Sequence, residues 1–368
     1  MYFLHTLLFE PSGPWSFLRL FSYISFRSVC AFIMAFAIAL FLGRRMIQWF
    51  ARAGVHEVGR QDTDLLDSSK RGTPTMGGIM IIISVIIPAV IWCDLSNPFI
   101  WILLASLFWF GAIGLVDDYM KLRRGQNELG LSRKHKLILQ TMFGLGLAFA
   151  TQWPALGLYP EGMAADLNVP FSKEPLLALS WVYIPFVTFV VVAISNAVNF
   201  ADGLDGLAIV PASVTITVYA LFAYILGNVN YSAYLLYTPI PGAGEITIFC
   251  AAAVGAGIGF LWYNAYPAQI FMGDVGSLAL GGMMASLAVL LKQEVLFLIA
   301  GGLFLAEAFS VLWQDRLGIA RLGRRLFYRA PLHHTFQHRG IAEPTVVVRF
   351  WIISIILALI SVMSLKIR

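Results

Sequence analysis

Ten apolar segments divide this 368-residue chain, and most approach the ~20 residues that a helix needs to cross a bilayer. They run roughly over 21–42, 75–92, 99–116, 137–156, 181–194, 207–226, 246–263, 275–291, 295–312 and 350–365. In hydrocarbon the backbone must satisfy its own hydrogen bonds, so segments of this kind fold as helices. Composition agrees: 59% of the residues are hydrophobic and 12% charged, against roughly 45–50% and about 25% in soluble domains. So few charges cannot cover a water-soluble surface, and 14% aromatics is the reverse of a disordered chain. The expected fold is all-α, a polytopic integral membrane protein of about ten transmembrane helices, with 1–368 forming one transmembrane domain. No internal repeat is evident, which disfavours an inverted-repeat transporter. Residues 1–17 lack a basic n-region and a small-residue cleavage site, so no removable signal peptide is expected.

Charge sets the orientation. Of 25 Lys and Arg, six fall in 43–74, six in 117–136 and seven in 313–349, while 195–206 and 264–274 carry none. These five loops share one side by parity, and the positive-inside rule makes it cytoplasmic, with both termini periplasmic. Arg27, near the outer end of the first span, is expected to snorkel toward the interface. The net charge of +5 therefore reflects topology and anionic ligands rather than nucleic acid. Cys30, Cys93 and Cys250 are too scattered for a disulfide framework or a metal knuckle.

Acidic residues are few and gather on the same side. Asp117 and Asp118 end the third span, Asp202 and Asp205 lie in Asp-Gly-Leu-Asp-Gly, and Asp274 lies in Phe-Met-Gly-Asp-Val-Gly-Ser. A carboxylate at mid-bilayer costs on the order of 2.5–3.5 kcal/mol, which placement at span ends avoids. Caps and turns account for the Asp-Gly-Leu-Asp-Gly element about as well as chemistry does. They account poorly for Asp117-Asp118, since adjacent like charges repel and carboxylates are unfavourable at a helix C-terminus. Neighbours on a helix point about 100° apart, so one can face a metal while the other supports it. Mg²⁺ accepts one or two carboxylates plus phosphate oxygens and water, which suits sparse aspartates.

No phosphate-binding Gly-Lys-Ser/Thr loop and no Gly-x-Ser-x-Gly elbow is present. Gly255-Ala-Gly257-Ile-Gly259 lies within an apolar span and reads as helix packing. His333, His334 and His338 cluster in a basic loop, where phosphate or sugar contacts, acid–base assistance and plain solvation all remain open. A cytoplasmic face mixing carboxylates with Lys and Arg suits a metal-bound anion such as a nucleoside diphosphate beside a lipid phosphate. The reading is Mg²⁺-dependent phosphoryl transfer between a soluble nucleotide and a membrane lipid. A transporter or flippase would place its acids near mid-span, and a structural scaffold would leave the clustered aspartates unexplained.

Lys70-Arg-Gly-Thr-Pro-Thr75-Met-Gly-Gly, Val116-Asp-Asp-Tyr119, Asn196-Ala-Val-Asn199 with Asp202-Gly-Leu-Asp205-Gly, and Asn264-Ala-Tyr-Pro-Ala-Gln-Ile-Phe271-Met-Gly-Asp274-Val-Gly-Ser277 together resemble the phospho-N-acetylmuramoyl-pentapeptide transferase family. That family sits within the polyprenyl-phosphate N-acetylhexosamine-1-phosphate transferases. The resemblance runs from about Leu20 to the C-terminus; Ala330-Pro-Leu-His-His and the Lys70 element favour the muramoyl branch over one using UDP-N-acetylglucosamine. It implies a ten-helix, Mg²⁺-dependent, homodimeric enzyme of the bacterial inner membrane, with its active site on the cytoplasmic face among membrane lipids. The implied reaction moves phospho-MurNAc-pentapeptide from UDP-MurNAc-pentapeptide to undecaprenyl phosphate, giving lipid I and UMP. Asp117, Asp118, Asp274 and His333 are the implied catalytic residues. Asp274 is the principal Mg²⁺ ligand, and Asp117 lies beside the metal as base or orienter of the lipid phosphate. Phe271 would stack on uracil, with Gly203, Leu204, Asp205 and Asn264 shaping the nucleoside pocket. Lys70, Thr75, Asn199, Asp202, Gln314 and His334 would line the diphosphate and sugar, and Lys121 and Lys136 would contact phosphate. Where the family usually shows a third consecutive histidine, this chain has Thr335.

Overall fold

The computed structural model describes residues 16–55, 72–124 and 130–367; Lys70 lies outside them. Each of the ten apolar segments is helical over most of its length. The principal helices are α1 (Ile24–Ala53), α2 (Gly78–Trp92), α3 (Pro98–Arg124), α4 (Arg133–Gln152), α5 (Tyr183–Ala201), α6 (Ile209–Leu226), α7 (Gly244–Asn264), α8 (Gly273–Leu290), α9 (Gly302–Trp313), α10 (Leu332–His338) and α11 (Glu343–Met363). The β-strands among the described residues are a single two-residue antiparallel pairing of Asp166–Leu167 with Leu177–Ala178. The chain is an all-α, multi-pass membrane protein.

Seven described helices are long and apolar enough to span by themselves. The other three expected spans are shorter or less uniform. Helix α2 has 15 residues, and α4 spends its first turn on Arg133, Lys134 and Lys136. The ninth breaks at Gly301 into Phe297–Ala300 and α9. Several helices also outrun the expected loop boundaries: α1 continues to Ala53, α3 to Arg124 and α5 to Ala201. A polar sequence at a span end keeps its helical hydrogen bonds outside the hydrocarbon, and this carries Asp117, Asp118 and Asn199 on rigid helix rather than loop. Pro185 does not interrupt the fifth span. It occupies the first turn of α5, where its missing N–H has no intrahelical partner to lose.

Helix α8 is the axis of the bundle. Every residue from Val275 to Leu290 is buried, and α2, α3, α5 and α6 pack around it. Lipid gives helices no hydrophobic reason to associate, so close backbone approach and van der Waals contact must do it. Small residues provide that approach. A Cβ on Gly78 would overlap the Gly276 backbone, and one on Gly114 would overlap that of Asp274 and Val275. The Gly255 and Gly259 positions of α7 do the same against Phe32, Phe36 and Ala39 of α1, as their small size suggests.

Arg27 does not snorkel. It is 2% exposed, with Nη1 and Nη2 donating to the Glu245 carboxylate at 2.8 and 2.6 Å and Nη1 also donating to the Trp92 carbonyl at 3.1 Å. Glu245 further accepts the Asp94 N–H at 2.8 Å, so this pair joins α1, α7 and the α2–α3 turn. Breaking a buried pair from one side strands a charge, at a cost of about 3–5 kcal/mol. Glu245→Ala should lower the thermal unfolding midpoint in detergent markedly, and Arg27→Leu combined with Glu245→Leu should recover most of the loss.

Candidate active site

Three aspartates from the ends of two helices converge at one end of the bundle. There Asp117, Asp118 and Asp274 each present a carboxylate oxygen within 4.8 Å of the others. Helix α3 supplies the first two and the first turn of α8 the third. The helical offset between neighbours separates their tasks. Asp118 Oδ2 accepts the Val275 N–H at 3.2 Å, so this carboxylate caps the N-terminus of α8 and fixes the helix that carries Asp274. Asp117 faces the loop and α4, accepting the Leu131 N–H at 2.6 Å.

Two lysines hold the cluster together. Lys121 Nζ lies 2.6 Å from Asp117 Oδ2 and 3.0 Å from Asp274 Oδ2. Lys136 Nζ lies 2.9 and 2.8 Å from the same two atoms. A cation in the first turn of α4 opposes the helix dipole, and the two carboxylates it meets offset that penalty. Asn199, on α5, donates from Nδ2 to Asp274 Oδ1 and to Ser277 Oγ, both at 2.9 Å, and so orients the Asp274 carboxylate. The donor set is oxygen only, clustered and partly exposed at Asp274 alone, the chemistry that a hard divalent cation selects.

Main-chain hydrogen bonds join the neighbouring segments. Phe271 N–H donates to the Pro74 carbonyl, and the Gly77 and Gly78 N–H groups donate to the Phe271 and Met272 carbonyls, at 2.8–2.9 Å. Thr75 and Phe271 are therefore placed side by side from opposite ends of the sequence. Asp205 and Asn264 are staples. Asp205 Oδ2 accepts the Ala268 N–H, Asn264 Oδ1 accepts the Gly206 N–H, and Asn264 Nδ2 donates to the Ile270 carbonyl. Leu204 is buried against Leu207, Leu303 and Phe350, anchoring the turn that carries Asp202 and Gly203.

The histidine loop closes over this turn. His333 is fully buried, and its Nε2 occupies the space that a Cβ on Gly203 would take. His334 is half-buried with Nδ1 3.0 Å from Gln337 Oε1, whereas His338 is exposed. Thr335 exchanges hydrogen bonds with the Arg329 backbone, a local brace that suits a small hydroxyl. Gln314 Oε1 accepts the Leu326 and Phe327 N–H groups, both at 3.0 Å, tying the π-helical turn Gln314–Ile319 to the basic loop. Sequence reasoning missed Glu307, Glu343 and Trp351. Glu343 Oε1 accepts the Asp205 N–H, and Trp351 donates to the Gly206 carbonyl. Glu307 sits within an apolar span, a signal open to detection, since intramembrane acids are rare without a purpose.

The Glycosyl transferase family 4 profile matches residues 100–292, and the Phospho-N-acetylmuramoyl-pentapeptide-transferase signature 1 matches 70–82, which includes the Pro74–Gly78 segment paired with Phe271. Phospho-N-acetylmuramoyl-pentapeptide-transferases of Geobacter sp. (strain M21) and Pelobacter propionicus are 44% and 46% identical to this chain over 365 residues. Those alignments cover 99% of this chain and 100% of each relative. The chain belongs to the phospho-N-acetylmuramoyl-pentapeptide-transferase family. It is an enzyme, a phosphotransferase, and the carboxylate–lysine centre lies in the part of the chain that the family profile spans.

Gly273 tests the geometry of that centre. Its φ of +71° favours glycine, and a Cβ there would come within 2.5 Å of Asp118 Oδ2. Gly273→Ala should displace the Asp118 cap and lower turnover ~10²-fold, the cost of a catalytic group moved by about 1 Å. Steady-state rates read beside an unchanged far-ultraviolet circular dichroism spectrum would check this.

Proposed function

We propose that this transferase moves phospho-MurNAc-pentapeptide from UDP-MurNAc-pentapeptide to undecaprenyl phosphate, releasing UMP and forming lipid I. The reaction would take place at the cytoplasmic face of the bacterial inner membrane, as the first membrane step of peptidoglycan synthesis. The observation that carries the reading is the carboxylate–lysine centre at the basic end of the bundle, in a chain whose full-length relatives bear this activity as their name.

Both reacting phosphates are anionic, so attack needs neutralised charge and in-line placement. Asp274 and Asp117 would hold Mg²⁺, with Asp118 behind them; the bound ion supplies Lewis-acid stabilisation of phosphate charge. Lys121 and Lys136 turn from carboxylate to phosphate oxygens as substrate enters, since each ammonium already lies between Asp117 and Asp274. Asn199 keeps Asp274 aimed, and Asp117 orients the lipid phosphate or takes its proton. Phe271 stacks on uracil, while the Asp205 and Asn264 staples keep the turn around the nucleoside shaped. Thr75, Asp202 and His334 face the diphosphate and sugar.

The test is UMP release by the detergent-purified protein with undecaprenyl phosphate. Release should require Mg²⁺ and UDP-MurNAc-pentapeptide; release from UDP-N-acetylglucosamine alone would move the protein to a sister activity. Asp274→Asn should abolish nearly all turnover at an unchanged unfolding midpoint. Phe271→Ala should weaken UMP binding about tenfold by calorimetry, the loss of one base–aromatic stack.

A further inference from the structure

Glu307 is a fully buried acid in the middle of α9, itself one of the apolar segments, and nothing in the reaction described above uses it. Its two oxygens face the same residue. Oε1 accepts the His333 backbone N–H at 3.3 Å, and Oε2 lies 3.3 Å from His333 Nδ1. Neither Oε2 nor Nδ1 has a hydrogen-bonding alternative, and both are buried from solvent. On the far side of the ring, Nε2 is also buried without a hydrogen-bond partner and packs on Gly203, in the Asp202–Asp205 turn.

A buried carboxylate without a proton donor is costly, and so is a buried ring nitrogen facing a lone pair. Both costs fall if a proton on Nδ1 lies between them, because Oε1 already accepts the His333 N–H and a donor on Nδ1 completes the acceptor set of the carboxylate. The arrangement then defines the ring completely: Nδ1–H on the carboxylate, Nε2 directed at the turn. We propose that Glu307 is a positioning residue for the transfer, keeping a proton on Nδ1 of His333 and holding Nε2 against the Asp202–Gly203 turn. Its influence reaches the substrate only through His333, and the kinetic part of this assignment rests on the function proposed above. A glutamine in its place is isosteric but cannot accept at both ends. Its amide must present N–H either to the His333 backbone N–H, which repels it, or to Nδ1, which forces the proton onto Nε2.

Two measurements test the assignment. In ¹⁵N-histidine-labelled wild-type protein, magnetic resonance should show His333 protonated at Nδ1; an unprotonated Nδ1 would overturn the proposal. This readout needs neither substrate nor variant, so it stands even if Glu307→Gln fails to fold. In Glu307→Gln, kcat for UMP release should fall at least ~10-fold, as when the partner that orients a catalytic imidazole is lost. Affinity for UMP should stay within about twofold. The double variant Glu307→Gln/His333→Asn should be no slower than His333→Asn alone, because both changes interrupt one path. Additive losses, or a Glu307→Gln enzyme that loses UMP affinity and unfolding temperature together, would reduce Glu307 to a structural brace. Wild-type protein that releases no UMP from either sugar nucleotide would count against the function itself and leave the ring protonation to decide the role of Glu307.

Discussion

Three carboxylates within 4.8 Å repel one another, and much of the bundle is arranged around holding them there. Removing charge from water at a membrane boundary makes each unpaired carboxylate expensive. The chain answers in three ways. Lys121 and Lys136 insert ammonium groups between Asp117 and Asp274, the positive end of α8 meets Asp118, and Asn199 takes the free oxygen of Asp274. The answers draw on four helices, so the cluster exists only when α3, α4, α5 and α8 are packed together. The contacts that pack these helices are the same ones that hold the carboxylates together.

The all-α architecture was legible because a bilayer leaves few choices: long apolar runs must be helices, and cations sort the loops. The same sorting puts Asp117, Asp118 and Asp274 on one face, and these three carboxylates meet in the fold. Helix ends were less legible. Hydropathy stops at the edge of the apolar run, whereas helical hydrogen bonding continues, as α3 does through Asp117 to Arg124. The offset between Asp117 and Asp118 follows from helix geometry, but which of them meets Lys121 and Lys136 and which caps α8 depends on packing that no local pattern records.

The remaining differences share one cause. Arg27 looked free to reach the interface because its partner, Glu245, is 218 residues away in sequence. Glu307 passed unnoticed because the apolar residues around it dominate any window. In both cases an ionisable side chain inside hydrophobic sequence has a matched partner across the fold. Asp205 and Asn264 stand out in sequence as polar residues of one motif pair, and in the fold their side chains bond to backbone. Residue type marks them as polar, and the hydrogen-bond geometry gives them the task of stapling turns.

Helix α8 carries one further implication. Its residues from Val275 to Leu290 are buried by neighbouring helices, so the helix bearing Asp274 has almost no surface against lipid. Changes in bilayer thickness are absorbed by tilt and local deformation at helices that touch acyl chains. Here the outer helices α1 and α11 are largely exposed along their apolar faces, so they are the ones placed to meet such deformation. The carboxylate cluster is thereby mechanically insulated from the surrounding bilayer, and remodelling of the lipids should leave its spacing intact.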